Sequence, residues 1–288
     1  MNKCILDKEK LELKGRGILP QKQEGYFAIR FISKAGYFNT DEMTALTNIA
    51  KEYGNGNIGL TSRLTIEIPY IKYENLEKVL KEAKSNGLVV GGGGPTVRAI
   101  LTCKGTVCTH GLIDTNHIAL EIEERFFGKK LPHKFKIAVL GCNNSYGKAQ
   151  VNDIGILPIK KVHILEENCI LCDKCVKFCK YDGMKKENNK IVISNEKCIS
   201  CGKCIKVCPT KAIEGEEIEF LIFLGGRLGR KARLATPINK SFKREEIINA
   251  VDKIIKYFES QANKNERFAD VIERIGLKSV EEEILNSL

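Results

Sequence analysis

Hydrophobic and polar positions follow two different periods along this chain, and together they predict a mixture of helices and strands. Apolar residues three and four apart predict four amphipathic helices, over residues 41–53, 73–86, 114–127 and 243–260. Thr40 stands where it can cap the first helix, and Gly87 follows the second. Apolar runs predict four strands, over residues 58–68, 97–103, 137–140 and 219–224. This mixture indicates α+β or α/β layers rather than a helical bundle.

Eight cysteines between the predicted strands form two copies of one pattern, C-x2-C-x2-C-x3-C. The copies lie 29 residues apart (169 to 198) and consist of Cys169, Cys172, Cys175 and Cys179, then Cys198, Cys201, Cys204 and Cys208. In two-cluster ferredoxins of this spacing, three cysteines of one run and the fourth cysteine of the other run hold each [4Fe–4S] cluster. We therefore assign the first cluster to Cys169, Cys172, Cys175 and Cys208, and the second to Cys198, Cys201, Cys204 and Cys179. Structural zinc sites instead use C-x2-C pairs with long spacers, which favours iron–sulfur clusters.

Composition limits the function classes that remain. The chain has 288 residues, 43% of them hydrophobic, which is enough for a core divided among two or three modules. A net charge of +11 raises nucleic acid as a partner, but the lysines are scattered along predicted helices and Trp is absent. A basic pocket for a small anion explains the charge equally well.

The chain shows no apolar core of signal-peptide length at its N-terminus and no segment of membrane-spanning length. We therefore expect a cytoplasmic protein, in which cysteines are metal ligands more often than disulfides. Three more cysteines, Cys103, Cys108 and Cys142, follow predicted strands. They form most of another iron–sulfur site or are buried free thiols, and their spacing alone leaves both interpretations open.

Short motifs stand in a consistent order on both sides of the cysteine repeat. They are Gly59-Leu60-Thr61-Ser62-Arg63, Arg98 followed by Cys103-Lys104-Gly105-Thr106-Val107-Cys108, Leu131-Pro132-His133-Lys134-Phe135-Lys136, Gly141-Cys142-Asn143-Asn144, Asp153-Ile154-Gly155 and Gly225-Gly226-Arg227-Leu228-Gly229-Arg230. Through these motifs, over roughly residues 12–270, the chain resembles the sulfite/nitrite reductase family. Within that family it is most similar to the small anaerobic sulfite reductase type.

The resemblance implies a siroheme beside a third [4Fe–4S] cluster, with cluster ligands at Cys103, Cys108 and Cys142. It implies that sulfite or nitrite binds among four cations, Arg63, Arg98, Lys134 and Lys136. The positions that it implies for cofactor binding are Thr61, Arg63, Arg98, Asn143, Asn144, Tyr146 and Lys148. A cationic pocket suits this chemistry because siroheme and its substrate are both anionic. Lys134 and Lys136 would share one face of an extended segment, although a solvated basic strand is the alternative.

Two positions depart from the family pattern. The first cysteine pair is C-x4-C where the family has C-x5-C, and Tyr146 stands where the family has the cysteine that bridges cluster and haem iron. Four consequences remain open. Tyr146 ligates iron, as in catalase; the cluster keeps three cysteines and an external ligand; Cys4 replaces the missing thiolate; or the siroheme is bound poorly or lost.

The resemblance predicts an α+β fold, in which sulfite/nitrite reductase-like α/β sandwich domains carry an inserted two-cluster ferredoxin module. We expect a ferredoxin-like half domain over residues 1–75 and the first part of a siroheme domain over 76–160. The ferredoxin module follows over 161–214, and residues 215–288 complete the siroheme domain and add a helical tail. Since the chain has one copy of a half that larger reductases have twice, we expect it to form a homodimer or to pair with another subunit.

Three functions are compatible with the sequence. The first is the terminal subunit of an anaerobic sulfite or nitrite reductase, to which a partner protein with flavin or iron–sulfur centres supplies electrons. The second is an electron-transfer subunit whose siroheme site is altered or lost. The third is the reduction of another small substrate at an open cluster or haem.

Overall fold

The computed structural model of the chain describes residues 7–288, so Cys4 lies outside the described residues. Its strands form two five-stranded sheets and one hairpin. The strands are β1 (Ile18–Pro20), β2 (Tyr26–Ile32), β3 (Gly59–Leu60), β4 (Ile66–Lys72), β5 (Val89–Val90), β6 (Leu101–Thr102), β7 (Ile137–Val139), β8 (Ile154–Ile164), β9 (Met184–Glu187), β10 (Lys190–Ile193), β11 (Ile213–Leu224) and β12 (Thr236–Phe242). The helices are α1 (Asp7–Gly15), α2 (Thr40–Glu52), α3 (Leu76–Ser85), α4 (Thr115–Phe126), α5 (Lys174–Phe178), α6 (Ile247–Gln261), α7 (Phe268–Ile275) and α8 (Leu277–Asn286).

The first sheet is antiparallel, with the order β1-β2-β4-β3 and with β5 also paired to β2. Helices α2 and α3 supply apolar residues to its core. Asn39, not Thr40, caps α2, because its side chain accepts from the backbone N–H of Glu42 at 2.8 Å and the Glu42 carboxylate accepts from that of Asn39 at 2.9 Å. The core of this sheet also contains residues of α3, which lies beyond the predicted division at residue 75.

The second sheet has the order β12-β11-β8-β7-β6. Its first three strands are antiparallel, whereas β8, β7 and β6 run parallel. Helices α4, α6, α7 and α8 cover it and contribute the larger hydrophobic core. Within that core, the rings of Phe135, Phe258 and Phe268 meet with centroid distances of 5.2, 5.5 and 5.6 Å.

The cysteine repeat lies between β8 and β11, which are antiparallel neighbours from the Ile154–Leu224 pair to the Ile164–Ile213 pair. The intervening segment contains α5, the β9–β10 hairpin and a 3-10 helix over Lys203–Val207. Its backbone repeats with the cysteines: positions 171 and 200, and positions 173 and 202, all have left-handed φ values between 52° and 66°. The sequence repeat is therefore also a structural repeat.

Two predicted strands are shorter than the apolar runs indicated. The run over residues 58–68 is broken between β3 and β4 by a tight turn, in which Thr61 and Thr65 are joined by a backbone hydrogen bond and Leu64 has φ +60°. Of the run over residues 97–103, only Leu101–Thr102 is strand. Among the helices in the described part of the chain, none combines the length and the apolar character that crossing a membrane requires.

Candidate iron–sulfur and anion-binding site

The two ferredoxin-type cysteine sets line two separate cavities. Cys169, Cys172, Cys175 and Cys208 surround one with an empty volume of about 350 Å³. Cys179, Cys198, Cys201 and Cys204 surround the other, which is open to a larger space of about 1120 Å³. Within residues 7–288, no three His, Cys, Asp or Glu side chains meet in the arrangement of a site for one metal ion. Each cavity lining combines three cysteines of one run with the fourth of the other, and their ligation of two clusters stays a prediction.

The fourth cysteine of each run accepts an N–H···S hydrogen bond at an equivalent place in the repeat. The Gly183 N–H donates to Cys179 Sγ at 3.3 Å, and the Ala212 N–H donates to Cys208 Sγ at 3.2 Å. Backbone donors of this kind stabilise thiolate charge and set the reduction potential of a cluster. These residues fit the group that the repeat implies, and they would hold one [4Fe–4S] cluster in each cavity.

The three remaining cysteines of the described residues lie on two loops that approach each other closely. The Gly141 N–H donates to Cys103 Sγ at 3.1 Å, which brings Cys103 next to the Cys142 loop. A Cβ atom on Gly141 would lie 2.7 Å from the Gly105 Cα, so this approach requires glycine. The Cys108 N–H donates to the Lys104 carbonyl at 2.8 Å and closes the first loop. The fold thus brings Cys103 next to the loop that carries Cys142, and a third cluster at these cysteines stays a prediction.

Tyr146 belongs to the wall of a different and larger cavity, which also includes Cys103. This anion cavity, as we name it, has an empty volume of about 1300 Å³; its cationic lining residues are Arg63, Lys104, Lys136 and Lys148. The Tyr146 side chain is 89% exposed. The cationic lining fits an anionic macrocycle and a small oxyanion, whereas Tyr146 offers a phenol where the resemblance predicts a thiolate.

Arg63 reaches the anion cavity from the tip of the turn between β3 and β4. Its guanidinium donates to the Ala99 carbonyl at 3.1 and 2.7 Å, to the Ile137 carbonyl at 3.0 Å and to Asn152 Oδ1 at 2.9 Å. Burial lowers the pKa of Arg63 to about 10, which leaves it charged at neutral pH. Thr61 stabilises the same turn through a 2.6 Å hydrogen bond between its Oγ1 and that of Thr65.

The Lys134–Lys136 segment is anchored by Phe135, which is fully buried between the two half-buried lysines. Lys136 lines the anion cavity, whereas Lys134 is not among its lining residues. Arg98 lies on the adjacent chain segment, where its N–H donates to the Phe135 carbonyl at 2.8 Å. The Arg98 guanidinium donates to the carbonyls of Gly92 and Gly94, and its buried Nε has no partner. The structure thus brings Arg63 and Lys136 to one cavity and keeps Arg98 and Lys134 outside its lining.

A buried ion pair between Asp153 and Arg267 supports the Lys134–Lys136 segment. Asp153 is 0% exposed and accepts from the Lys136 N–H at 2.9 Å and from Arg267 at 3.1 and 3.2 Å. Complete burial raises the pKa of Asp153, although Arg267 and the Lys136 N–H oppose that shift. Burial, together with the charges of Arg63 and Arg267, lowers the pKa of Lys136 to about 8. Lys136 can therefore give up a proton close to neutral pH.

Asn143 and Asn144 face away from the anion cavity, towards the cysteine repeat. The Asn143 side-chain amide donates to the Ile199 carbonyl, and both asparagines line a cleft that also contains Cys142 and Cys201. Lys148 differs from them, since it lines the anion cavity and has a left-handed φ of +54°. The predicted cofactor-binding residues therefore divide between two sides of the Cys142 loop.

Sequence reasoning did not select Arg267, Asn152 or Lys104 as site residues. Arg267 lies far along the chain, and only the fold brings it to Asp153. Asn152 precedes the Asp153-Ile154-Gly155 motif, so the motif could have drawn attention to it. Lys104 lies between Cys103 and Gly105; its Nζ donates to the Gly36 carbonyl at 2.7 Å and stands over the Tyr37 ring.

The chain matches two family models, "Nitrite/Sulfite reductase ferredoxin-like half domain" over residues 19–86 and "Nitrite and sulphite reductase 4Fe-4S domain" over residues 93–288. It is 35% identical to the "Coenzyme F420-dependent sulfite reductase" of Methanocaldococcus jannaschii over 93% of this chain and 44% of that protein. The chain thus spans less than half the length of that relative.

A second relative, an anaerobic sulfite reductase subunit of Salmonella typhimurium, is 30% identical over 76% of this chain and 70% of that protein. Among solved structures, the chain resembles a dissimilatory sulfite reductase with a TM-score of 0.74 at 19% identity, over 90% of this chain and 69% of that chain. This likeness shows the α+β fold of these reductases. From the family models and the two relatives, we conclude that the chain belongs to the nitrite and sulfite reductase family, whose members are iron–sulfur oxidoreductases.

Proposed function

We propose that this chain is a siroheme-type reductase subunit, which passes electrons through a ferredoxin module to a site that reduces sulfite or nitrite. The observation that carries the proposal is the anion cavity, where Arg63, Lys136 and Lys148 stand together beside Cys103. When bound, siroheme supplies an iron centre at which the oxyanion takes up electrons. Cations at the wall attract both anions, because charges act strongly in a partly buried pocket.

The residues of the chain divide this work between binding and proton supply. Arg63 is fixed by its carbonyl contacts, so it provides a charge of fixed position. Lys136 is held at its backbone by Asp153 and has a pKa of about 8. It is therefore suited to give a proton to the oxyanion as each oxygen is removed. Arg98 and Lys134 strengthen the positive potential from outside the cavity wall.

Two clusters in the ferredoxin module and a third at Cys103, Cys108 and Cys142 would form the electron path. The second cysteine set supports this order, because Cys201 and Cys142 line one cleft. The Lys160 N–H donates to the Ser200 carbonyl at 2.7 Å and ties the module to β8 on the same side. Electrons would pass from the Cys169 set to the Cys179 set and then to the third site.

A second protomer or another protein would complete the anion cavity. Large apolar side chains stand exposed at its wall or on the adjoining turn; they are Leu60, Leu64, Tyr146 and Leu228. Exposed apolar patches beside a site are typical of protein interfaces. We propose a homodimer or a hetero-oligomer in which a partner covers this rim, and sedimentation of the anaerobically purified protein tests it: a monomer that binds siroheme would contradict the proposal.

One observation favours a second candidate function, an electron-transfer subunit without a working siroheme. Tyr146 offers a phenol where the family pattern has a thiolate, and it lies in the same cavity wall as Cys103. A tyrosinate can bind haem iron, as in catalase, but it does not reproduce the shared sulfur between cluster and haem.

An absorption spectrum and an iron count of anaerobically prepared protein separate the two candidates. If the chain is a reductase subunit, we expect siroheme bands and about twelve cluster irons per chain, from three clusters of four irons. About eight irons without a haem band would support the electron-transfer subunit instead.

Tyr146→Cys is the sharper test of coupling between cluster and haem. It should change the haem spectrum and increase sulfite reduction, because it restores the shared thiolate. Tyr146→Phe is the control, since it removes the phenol oxygen without adding a thiolate. An unchanged spectrum and rate in Tyr146→Cys would contradict a coupling role for this position.

A further inference from the structure

The cavity of the Cys169 set opens onto an exposed surface that has no role in the site described above. Its exposed rim residues are Ile170, Cys172, Lys174, Pro209 and Thr210, and we name this surface the Ile170 face. Ile170 is 64% exposed. Cys172 is the only exposed thiol among the eight cysteines of the repeat. A large apolar side chain beside an accessible cysteine is the central feature of the face.

Exposed lysines without an acidic partner stand close in sequence to the residues of this face. Lys174, Lys177 and Lys211 are exposed. None of the three takes part in an ion pair within residues 9–288, whereas the nearby Lys186 and Lys190 are paired with Asp173 and Glu166. The acids at the face are Asp173, which lines the cavity and is paired with Lys186, and the exposed Glu167, just before Asn168 and Cys169. The face therefore has a small apolar centre and a net positive rim.

The opposite side of the module is covered by the rest of the chain. Ile199 and Ser200 accept hydrogen bonds from Asn143 and Lys160, and Cys201 forms a parallel β-bridge with Lys160. Phe178 and Tyr181 line the cleft between the Cys179 set and the Cys142 loop. The Cys179 set thus faces the reductase half, and the Cys169 set faces outwards.

We propose that the Ile170 face is the docking site of an acidic electron-carrier protein of the ferredoxin type. The inference rests on the proposed function, because it assumes a cluster in the Cys169 cavity. An apolar centre with a charged rim is the ordinary composition of a protein interface, and complementary charge accelerates encounter. The donor's reduced iron–sulfur centre loses one electron and the cluster at the Cys169 set gains it. No bond forms or breaks, and the oxidised donor leaves.

The test measures binding of an acidic two-cluster ferredoxin to the full-length, cluster-loaded protein. The variant is Lys177→Glu with Lys211→Glu, since neither lysine lines the Cys169 cavity. The matched control is Lys78→Glu with Lys81→Glu, two exposed lysines of α3. We expect the association rate to fall about tenfold in the variant at low salt and to stay unchanged in the control. Raising the salt concentration should reduce the difference, because salt screens exposed charges.

A second variant tests the apolar centre. Ile170→Ser keeps every charge and should increase the dissociation rate of the ferredoxin while leaving the association rate unchanged. Iron content is measured for each variant, so that loss of a cluster is not mistaken for loss of docking. Equal association rates for the wild type and the Lys177/Lys211 variant would overturn the proposal, and so would an equal loss in the α3 control.

Reduced methyl viologen, a small radical cation, serves as a donor that needs no docking surface. If viologen-driven sulfite reduction fails in the wild type, the proposed function is wrong, while ferredoxin binding still reports on the face. If viologen supports turnover and ferredoxin binds elsewhere, the docking proposal alone is wrong.

Discussion

Arg267→Ala should destabilise the protein far more than removal of an exposed arginine, because it leaves a buried carboxylate without its cation. Asp153 is 0% exposed, and Arg267 donates to both of its oxygens at 3.1 and 3.2 Å. The Arg267 side chain is itself only 11% exposed. Removal of one partner of such a pair costs about 3–5 kcal/mol in the free energy of unfolding. The Lys136 N–H remains as one donor, which favours the lower end of that range.

Arg274→Ala is the matched control, because Arg274 lies on α7, the helix that begins directly after Arg267. Its pair with Glu266 at 2.9 Å involves an arginine side chain that is 44% exposed, so its loss should cost much less stability than the loss of Arg267. Urea unfolding followed by circular dichroism compares the two variants with the wild type, in protein of equal iron content. Arg267→Lys keeps the charge and should recover part of the loss.

The loss of stability in Arg267→Ala should depend on pH, and the pKa of Asp153 sets the direction of that dependence. Burial raises the pKa of Asp153 in the folded protein, and removing Arg267 removes a charge that opposes this shift. The folded variant then binds a proton more tightly than the unfolded chain, so its stability falls as pH rises through the folded pKa. The deficit of Arg267→Ala should therefore be largest at neutral pH and shrink towards acid pH. A deficit equal to that of Arg274→Ala, or one independent of pH, would refute this reasoning.

Two further changes test the anion cavity and the third cysteine site. Sulfite reduction should decline as pH rises through about 8, where Lys136 loses its proton. Lys136→Arg should move that decline to higher pH. A pH–rate profile that does not move would exclude Lys136 as the titrating group. Gly141→Ala should lower the iron content by one cluster, because the new Cβ would lie 2.7 Å from the Gly105 Cα. Gly15→Ala, where the added Cβ meets nothing within 4 Å, is its control, and equal iron contents would show that the loops tolerate the methyl group.

The sequence predicted the α+β class and the main helices, because the helices of the structure bury the apolar faces that the amphipathic period indicated. It overestimated two strands for a reason visible in the turn between β3 and β4. Thr61 and Thr65 close that turn by hydrogen bonds that compete with the strand ladder. Hydrophobic periodicity carries no signal for the left-handed backbone that Leu64 adopts there.

The spacing of the ferredoxin-type cysteines is local and repeated, so the sequence alone could group them as the two cavities do, while the clusters themselves stay a prediction. The buried ion pair that supports Lys136 could not be predicted from the sequence. Asp153 and Arg267 are 114 residues apart and meet only through packing of α7 against the second sheet. The side of the loop on which Asn143 and Asn144 lie could not be predicted either. They follow Cys142 directly, but only the fold shows that this loop has one side towards the anion cavity and another towards the cysteine repeat.

The position of the cysteine repeat within the second sheet explains how an inserted module can serve a site in another part of the chain. Strands β8 and β11 are paired up to Ile164 and Ile213, so the ends of the insertion are already adjacent and closing it costs little chain entropy. The same ladder fixes the direction in which the module leaves the sheet. Since each cysteine set draws on both runs, the module cannot rearrange one cavity without the other. The hydrogen bond from Lys160 to Ser200 then holds the Cys179 set towards Cys142, and the Cys169 set is left facing outwards, where a donor can reach it.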